Sequence, residues 1–166
     1  MFSEAQREIY ELVLRAELSA IEACQVGSPW ENMHRAASEV LARGLIDLGI
    51  LQCSYEDAIG DSLDGDYRKF FMHGTGHMLG LDVHDVGGGR QGGKKGPILK
   101  SGMIVTIEPG LYFASWRDDI SVPEKYSGIG VRIEDDVLIT EDGPVVLTEM
   151  CPKTIDEIES IVGSAL

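Results

Sequence analysis

Apolar side chains recur every three or four residues over the first third of the chain, which is the spacing of amphipathic helices. Ser3 and Gln6 have the spacing of a capping box, in which each side chain accepts a hydrogen bond from the other's backbone N–H. The pattern predicts a helix that begins after Ser3 and ends near Gly27. Its apolar face is formed by Ile9, Leu12, Val13, Ala16, Ala20 and Ala23.

A second helix is predicted from Ser28 to a stop at Gly49. Ser28 and Glu31 repeat the capping-box spacing, and Pro29 falls at the first helical position, where a missing N–H costs nothing. A shorter helix is expected from Ser54. The apolar positions of the second helix are Met33, Ala36, Ala37, Val40, Leu41 and Leu45.

Beyond residue 70 the pattern changes to short β-branched runs bounded by glycine and proline, as in strands. Strands are predicted over 103–107 and 131–139, with a short strand at 145–147 and a last helix over about 154–162. The Gly-rich stretch 87–96 is expected to form a loop. Helices followed by strands predict an α+β fold with a largely antiparallel sheet rather than repeated βαβ units.

The length of the chain sets its domain organisation. A chain of 166 residues, of which 43% are hydrophobic, is large enough for one domain with a buried core. We therefore expect a single domain over 1–166. Its helices would occupy about 3–65, its sheet and site region about 70–150, and its last helix the C-terminal part.

Charge and cysteine content argue against several classes of partner. A net charge of -14 and a pI near 4.5 disfavour binding to a phosphate backbone, and the basic cluster 90–100 is interpreted as a solvated loop. No apolar run reaches the length of a membrane span. Cys24, Cys53 and Cys151 are too far apart for a disulfide framework or a zinc ribbon, which favours a reducing, cytoplasmic location.

His73, His77 and His84 are three of the four histidines, and they lie close together in a glycine-rich stretch. The glycines disfavour a helix and let the backbone approach a ligand closely. A single histidine in such a stretch is more often a satisfied polar residue in a turn. Three of them, clustered with Asp82 and Asp85, favour a functional site.

Two glutamates stand in otherwise apolar strand segments. Glu108 stands at the end of the first predicted strand. Burial would remove the hydration of its carboxylate, which is unfavourable unless a cation or a hydrogen-bond donor compensates. Glu134 shares a strand face with Arg132, while residues 135–136 are expected at the exposed strand end. The alternatives are a free strand end for Glu108 and a surface ion pair for Glu134. Together with His77, the two glutamates form a one-histidine, two-carboxylate set that suits manganese, zinc, cobalt or iron.

Three ordered stretches of the sequence resemble the C-terminal motifs of the pita-bread metallopeptidases. They are residues 73–87, 108–112 and 128–136. The Leu-Asp-Val-His-Asp sequence at 81–85 makes the resemblance closest to aminopeptidase P (Xaa-Pro aminopeptidase) and its relative prolidase. Residues 6–10 and 30–34 resemble the outer helices of the family, so the similarity covers essentially the whole chain. It implies a pita-bread fold, in which outer helices pack on a curved sheet.

The resemblance implies a dinuclear metal centre. By the family pattern, His77 and Glu108 would ligate one metal, and Glu134 would bridge two. Glu108 would also transfer a proton. The family's metal is usually manganese, with zinc or cobalt as alternatives, and it activates a water that attacks the peptide bond.

Other residues would face the substrate in such an enzyme. His84 would hydrogen-bond the scissile carbonyl or its oxyanion, and His73 would line the pocket. Arg132 would hold a metal-ligating aspartate. The implied substrate is a peptide with proline in second position, cut after its first residue by a metalloaminopeptidase.

The sequence departs from the family at its beginning. The family takes two further ligands, both aspartates, from a β-hairpin upstream of the helix that here follows Ser3. That hairpin is missing, so we expect the chain to be the C-terminal portion of a catalytic domain and to be inactive or weak alone. A sheet edge exposed in this way would favour a homodimer.

Two other functions stay open at this stage. A pita-bread relative could bind peptides or proteins without cutting them, although such a module would have no need for His77, Glu108 and Glu134. A mononuclear metal enzyme of another class would need a separate substrate pocket, which the sequence does not identify. Metal titration distinguishes the enzyme from the binding module.

Overall fold

The computed structural model of the chain describes residues 1–88 and 96–162. Residues 89–95, which belong to the predicted loop 87–96 and the basic cluster, and residues 163–166 lie outside this description. The α-helices are α1 (Glu4–Glu22), α2 (Glu31–Asp47), α3 (Tyr55–Ile59) and α4 (Ile155–Ile161), with short 3-10 helices at Asp66–Lys69 and Glu124–Tyr126. None of the helices in the described ranges is long and apolar enough to cross a membrane.

The capping box predicted at the start of α1 is confirmed. Ser3 Oγ accepts the N–H of Gln6 at 3.2 Å, and Gln6 Oε1 accepts the N–H of Ser3 at 2.8 Å. The same reciprocal arrangement begins α4. However, α1 ends at Glu22 rather than near Gly27, because Gly27 donates its N–H to the carbonyl of Leu99 at 2.9 Å and so belongs to a separate connection.

The capping box predicted at the start of α2 is wrong. The residue that precedes α2 is Trp30, and its side chain makes no capping hydrogen bond. The carbonyl of Ser28 instead accepts the N–H of Leu99 at 2.8 Å, and the carboxylate of Glu31 accepts the N–H of Gly96 at 2.7 Å. Pairing with a distant part of the chain therefore replaces the local cap.

The end of α2 and the start of α3 agree with the sequence. Gly49, just beyond α2, has a φ of +69°, a left-handed conformation that ends the helix and favours glycine. Ser54 precedes α3 and accepts the N–H of Asp57 at 3.1 Å. Both boundaries come from contacts within a few residues, which is why periodicity and capping rules predict them.

Two antiparallel sheets follow the first three helices. The strands are β1 (Ile104–Ile107), β2 (Gly110–Tyr112), β3 (Gly130–Arg132), β4 (Asp135–Thr140) and β5 (Gly143–Val146). One sheet has the order β1-β4-β5, and the other pairs β2 with β3. The predicted α+β class and antiparallel pairing are confirmed, whereas β2 was not predicted.

The strand predicted over 131–139 is in fact two strands, and the interruption is at Ile133 and Glu134. β3 pairs with β2 and β4 pairs with β1, so the chain changes sheets between them. The segment that pairs with β3 and β4 is interrupted at the same level, since Glu108 and Pro109 separate β1 from β2. Glu134 therefore lies between two sets of strand hydrogen bonds.

The expectation that Asp135 lies at an exposed strand end is wrong. Its exposed fraction is 1%, and its side chain accepts hydrogen bonds from Thr148 Oγ1, at 2.6 Å, and from the ammonium of Lys153. A carboxylate can be buried here because an opposite charge and a hydroxyl donor meet it. Both partners follow β5 in the chain, so the local sequence pattern does not reveal them.

Residues 75–79 extend the larger sheet by running antiparallel to β1. The N–H groups of Glu108, Thr106 and Leu79 donate to the carbonyls of Thr75, His77 and Ile104 at 2.7, 2.9 and 3.0 Å. A Cβ atom added to Gly76 would overlap the carbonyl oxygen of Thr106, so only glycine permits this approach. The extended pairing places the histidine-rich segment against the end of β1.

One hydrophobic core joins the helices to the sheets. α1 and α2 pack against each other, and their buried faces continue into residues of β1, β2 and β4. The largest fully buried side chains are Tyr67, Tyr126, Phe70, Phe71, Phe113, Ile9, Leu12, Met33, Leu41, Leu45, Leu99 and Ile107. The helical layer thus supports the strand ends that carry the chemically interesting side chains.

Candidate metal centre

Three sequence-predicted ligand positions meet where β1 ends and β4 begins. His77 lies on the segment beside β1, Glu108 follows β1, and Glu134 precedes β4. Ile107 and Asp135 are directly paired, so the next residue along each strand end is one of the two glutamates. One ligand atom from each of the three side chains lies within 4.8 Å of the other two.

The orientation of His77 leaves one ring nitrogen available to a metal. His77 Nδ1 lies 3.0 Å from the carbonyl oxygen of Met78, and a carbonyl can only accept, so Nδ1 carries the hydrogen. Nε2 then presents its lone pair, and it lies 3.3 Å from Glu108 Oε1. Metal-binding histidines commonly have their second nitrogen held in this way.

The two carboxylates of the site share one nearby positive charge. Arg132 NH1 lies 3.8 Å from Glu108 Oε2, and Arg132 Nε lies 3.8 Å from Glu134 Oε2. The Glu108 side chain is 12% exposed, while those of Glu134 and Arg132 are 40% and 53% exposed. Because one half-exposed guanidinium only partly balances two carboxylates, a cation between them would be stabilised.

The donor set fits a divalent metal. Imidazole nitrogen and carboxylate oxygen together suit manganese, zinc and cobalt. Within residues 1–88 and 96–162, His77, Glu108 and Glu134 form the one group of three or more histidine, cysteine or carboxylate side chains close enough to share an ion. The structure therefore brings the predicted ligand trio together.

His84 and His73 make different contacts near this trio. The ring of His84 stacks on that of His77, with 3.8 Å between centroids and 21° between planes, and His84 is exposed. His73 Nδ1 lies 2.7 Å from the carbonyl oxygen of Gly74, so Nδ1 is the donor there. His73 Nε2 then accepts a hydrogen bond from the Tyr112 hydroxyl at 2.8 Å.

Tyr112 is a residue of this site that the sequence reasoning missed. Burial raises the pKa of its hydroxyl, the neighbouring Arg132 opposes that rise, and the Glu108 and Glu134 carboxylates add to it. A tyrosine whose neutral form is favoured remains a hydrogen-bond donor towards His73. Tyr112 belongs to the family-like stretch 108–112, which could have pointed to it, but β2 itself was not predicted.

His34 on α2 and Thr75 on the segment beside β1 support the site and were also missed. His34 Nδ1 lies 2.8 Å from Thr75 Oγ1, and the carbonyl of Thr75 accepts the N–H of Glu108 at 2.7 Å. A cavity of about 550 Å³ opens beside His73. Its wall includes Trp30, Glu31, His34, Asp64, Arg68 and His73.

The family model for metallopeptidase family M24 matches residues 1–141 of the chain. The Xaa-Pro aminopeptidase of Haemophilus influenzae is 47% identical over 161 residues, which are 97% of this chain and 36% of that protein. The chain belongs to metallopeptidase family M24. It spans about a third of the length of the curated relatives it matches, as the values of 36% and 35% for the Haemophilus influenzae and Escherichia coli proteins show.

Solved structures of aminopeptidase P have the same fold. The Pseudomonas aeruginosa aminopeptidase PepP matches with a TM-score of 0.86 and 45% identity, covering 96% of this chain and 35% of that one. Aminopeptidase P from Escherichia coli with the inhibitor Pro-Leu matches with a TM-score of 0.84 and 43% identity, over 96% of this chain and 34% of that one. The pita-bread fold inferred from the sequence motifs is confirmed.

Proposed function

We propose that this chain carries part of the catalytic centre of a metal-dependent exopeptidase, which hydrolyses the bond between an N-terminal residue and a following proline. The observation that carries the proposal is the convergence of His77, Glu108 and Glu134 within 4.8 Å. Membership of a metallopeptidase family and the Xaa-Pro aminopeptidase relatives support the same reaction class.

The trio would hold the metal, with Glu134 shared between two ions in a complete dinuclear centre. A divalent cation bound there would lower the pKa of a water molecule and so supply a nucleophile at neutral pH. Manganese is the ion we propose, and zinc or cobalt would suit the same donors. A zinc-substituted aminopeptidase P from Escherichia coli, solved in complex with product, shows that this relative accepts zinc.

The remaining residues would act on the peptide and on the ligands. Glu108 is the proposed proton carrier, because its carboxylate is largely buried beside the ligand nitrogen of His77. His84 is exposed next to His77 and would donate to the scissile carbonyl or its oxyanion. His73 would line the substrate pocket at the 550 Å³ cavity. Arg132 would orient the carboxylates.

The proposed substrate is a peptide with proline as its second residue. Relatives named Xaa-Pro aminopeptidase support this choice, as does the Escherichia coli structure with the inhibitor Pro-Leu. The described residues bring three protein ligands together, which is fewer than a two-metal centre requires. The chain by itself should therefore have little or no activity.

Metal titration by calorimetry tests the proposed centre. The chain should bind Mn²⁺, and Glu134→Gln should weaken binding because it removes a charged ligand without changing the shape of the side chain. Glu141→Gln is the matched control, since Glu141 is exposed in the turn between β4 and β5. Absence of Mn²⁺, Zn²⁺ and Co²⁺ binding would overturn the metal centre and favour a non-catalytic module that binds peptides or proteins.

A second assay addresses the activity of the isolated chain. An Xaa-Pro peptide incubated with the chain and Mn²⁺ should be cut slowly or not at all. Efficient turnover would show that three ligands suffice. A peptide of the same composition with proline moved to the third position is the control for the proposed specificity.

The cellular setting and assembly are further parts of the proposal. We propose a cytoplasmic location, where the thiols of Cys24, Cys53 and Cys151, which form no disulfide, would stay reduced. Leu81 and Val83 are 103% and 73% exposed beside the site, and such apolar side chains favour self-association as a homodimer. Light scattering that shows a monomer at all concentrations would contradict the dimer.

A further inference from the structure

We propose that Thr106 is a positioning residue that holds two of the three metal ligands, His77 and Glu108, in one hydrogen-bonded chain. The inference rests on the proposed metal centre and adds to it the residue that sets its geometry. Thr106 lies within β1 and its exposed fraction is 1%, so water cannot replace its hydroxyl.

The direction of both hydrogen bonds follows from the single hydrogen of the hydroxyl. Thr106 Oγ1 accepts the backbone N–H of His77 at 3.0 Å and lies 3.2 Å from Glu108 Oε1. Because the N–H supplies its own hydrogen, the hydroxyl hydrogen is free to point at Glu108. The oxygen that receives it is also the one that lies 3.3 Å from His77 Nε2. One side chain thus contacts both ligands at the point where they meet.

The strand geometry makes this contact possible. Alternation along β1 directs the side chains of Thr106 and Glu108 to the same face. The carbonyl of His77 accepts the N–H of Thr106 at 2.9 Å, so backbone and side chain both tie these two residues together. A β-branched residue has few side-chain rotamers in a strand, which keeps the hydroxyl in place.

Loss of the Thr106 hydroxyl should lower the affinity for the metal, beyond any effect on the stability of the fold. Without it, the Glu108 carboxylate loses a buried donor and can rotate away from His77 Nε2. Substituting residues that hold metal ligands typically lowers metal affinity by about 10- to 100-fold. We expect a loss of this size, with the sheet retained.

The test compares Thr106→Val with Thr106→Ser. Valine keeps the shape and removes the hydroxyl, whereas serine keeps the hydroxyl and removes the methyl group. Affinity of the 166-residue chain for Mn²⁺ is measured by calorimetry, and the absorption spectrum of added Co²⁺ reports the ligand geometry. Thr140→Val is the control, because the Thr140 hydroxyl donates to the carbonyl of Gly143 and accepts the N–H of Asp142 in the turn between β4 and β5.

Thr106→Val should bind Mn²⁺ about 10- to 100-fold more weakly and give an altered Co²⁺ spectrum. Thr106→Ser and Thr140→Val should stay close to the parent chain. Parental affinity in Thr106→Val, or an equal loss in Thr106→Ser, would overturn the inference while leaving the metal centre intact. If Thr106→Val does not fold by circular dichroism, Thr106→Ala is judged by the same criterion. Absence of metal binding by the parent chain would overturn both proposals.

Discussion

Replacing Glu17 by glutamine should change how the stability of this protein depends on pH. Glu17 lies on α1 with an exposed fraction of 0%, and its carboxyl group faces the buried carboxylate of Asp135. Burial, and secondly the charge of Asp135, raises the pKa of Glu17 from 4.5 to about 8, although Lys153 opposes the rise. The folded protein therefore favours the protonated carboxyl.

The sign and size of the effect follow from that difference in pKa. A carboxyl whose pKa is higher in the folded state stabilises the fold fully below its ordinary pKa of 4.5, and the contribution is lost as the pH rises through about 8. Each pH unit in this window costs about 1.4 kcal/mol. The free energy of unfolding should fall by roughly 3 kcal/mol by pH 7 and by about 4 kcal/mol by pH 8 through Glu17 alone.

Urea unfolding of the parent chain and of Glu17→Gln at pH 5, 6, 7 and 8 measures this contribution. The variant should have a stability similar to that of the parent at pH 5 and a higher stability by several kcal/mol at pH 8, because glutamine has no proton to lose. Glu11→Gln, at an exposed position of the same helix, should show no such trend. A constant difference between Glu17→Gln and the parent from pH 5 to pH 8 would refute the reasoning.

Three further predictions concern the fold and the site. Lys153→Met should lower the free energy of unfolding by about 3–5 kcal/mol, because it leaves Asp135 buried without its cation. The same change at exposed Lys100 should leave the free energy of unfolding unchanged. A Lys153→Met variant as stable as the parent would contradict the buried ion pair. Gly76→Ala should destabilise the protein and weaken Mn²⁺ binding, because the added methyl group overlaps the carbonyl of Thr106; calorimetry and thermal unfolding measure both. Mn²⁺ should raise the unfolding temperature and a chelator should reverse the rise, since the ligands come together only in the folded chain.

Local features of this fold could be predicted from the sequence, and distant pairings could not. The helix after Ser3 and the stop at Gly49 depend on residues a few positions away, and both agree with the structure. The cap proposed at Ser28 failed because its carbonyl bonds Leu99 instead. The proposed strand 131–139 failed because its two halves find partners in different sheets.

The residues of the candidate site also divide into those that the sequence predicts and those that it does not. His77, Glu108 and Glu134 were predicted as ligands because a histidine and two carboxylates stood out in glycine-rich or apolar surroundings, and the structure places the three side chains close together. Thr106 carries no such signal, because a threonine in a strand is ordinary, and its importance appears only through contacts with His77 and Glu108. The supporting residues of a site are chosen by three-dimensional position, which sequence spacing does not encode.

The change of sheets at Glu134 affects how much conformational entropy the chain would lose on binding a cation. Arg132 on one side is paired with Gly110, and Asp135 on the other is paired with Ile107, so the backbone of Glu134 is anchored at both ends. In the proposed centre, only the side-chain torsions of Glu134 would remain to be fixed when an ion binds. A centre preorganised in this way loses little conformational entropy on binding, and more of the interaction with the metal is retained as affinity.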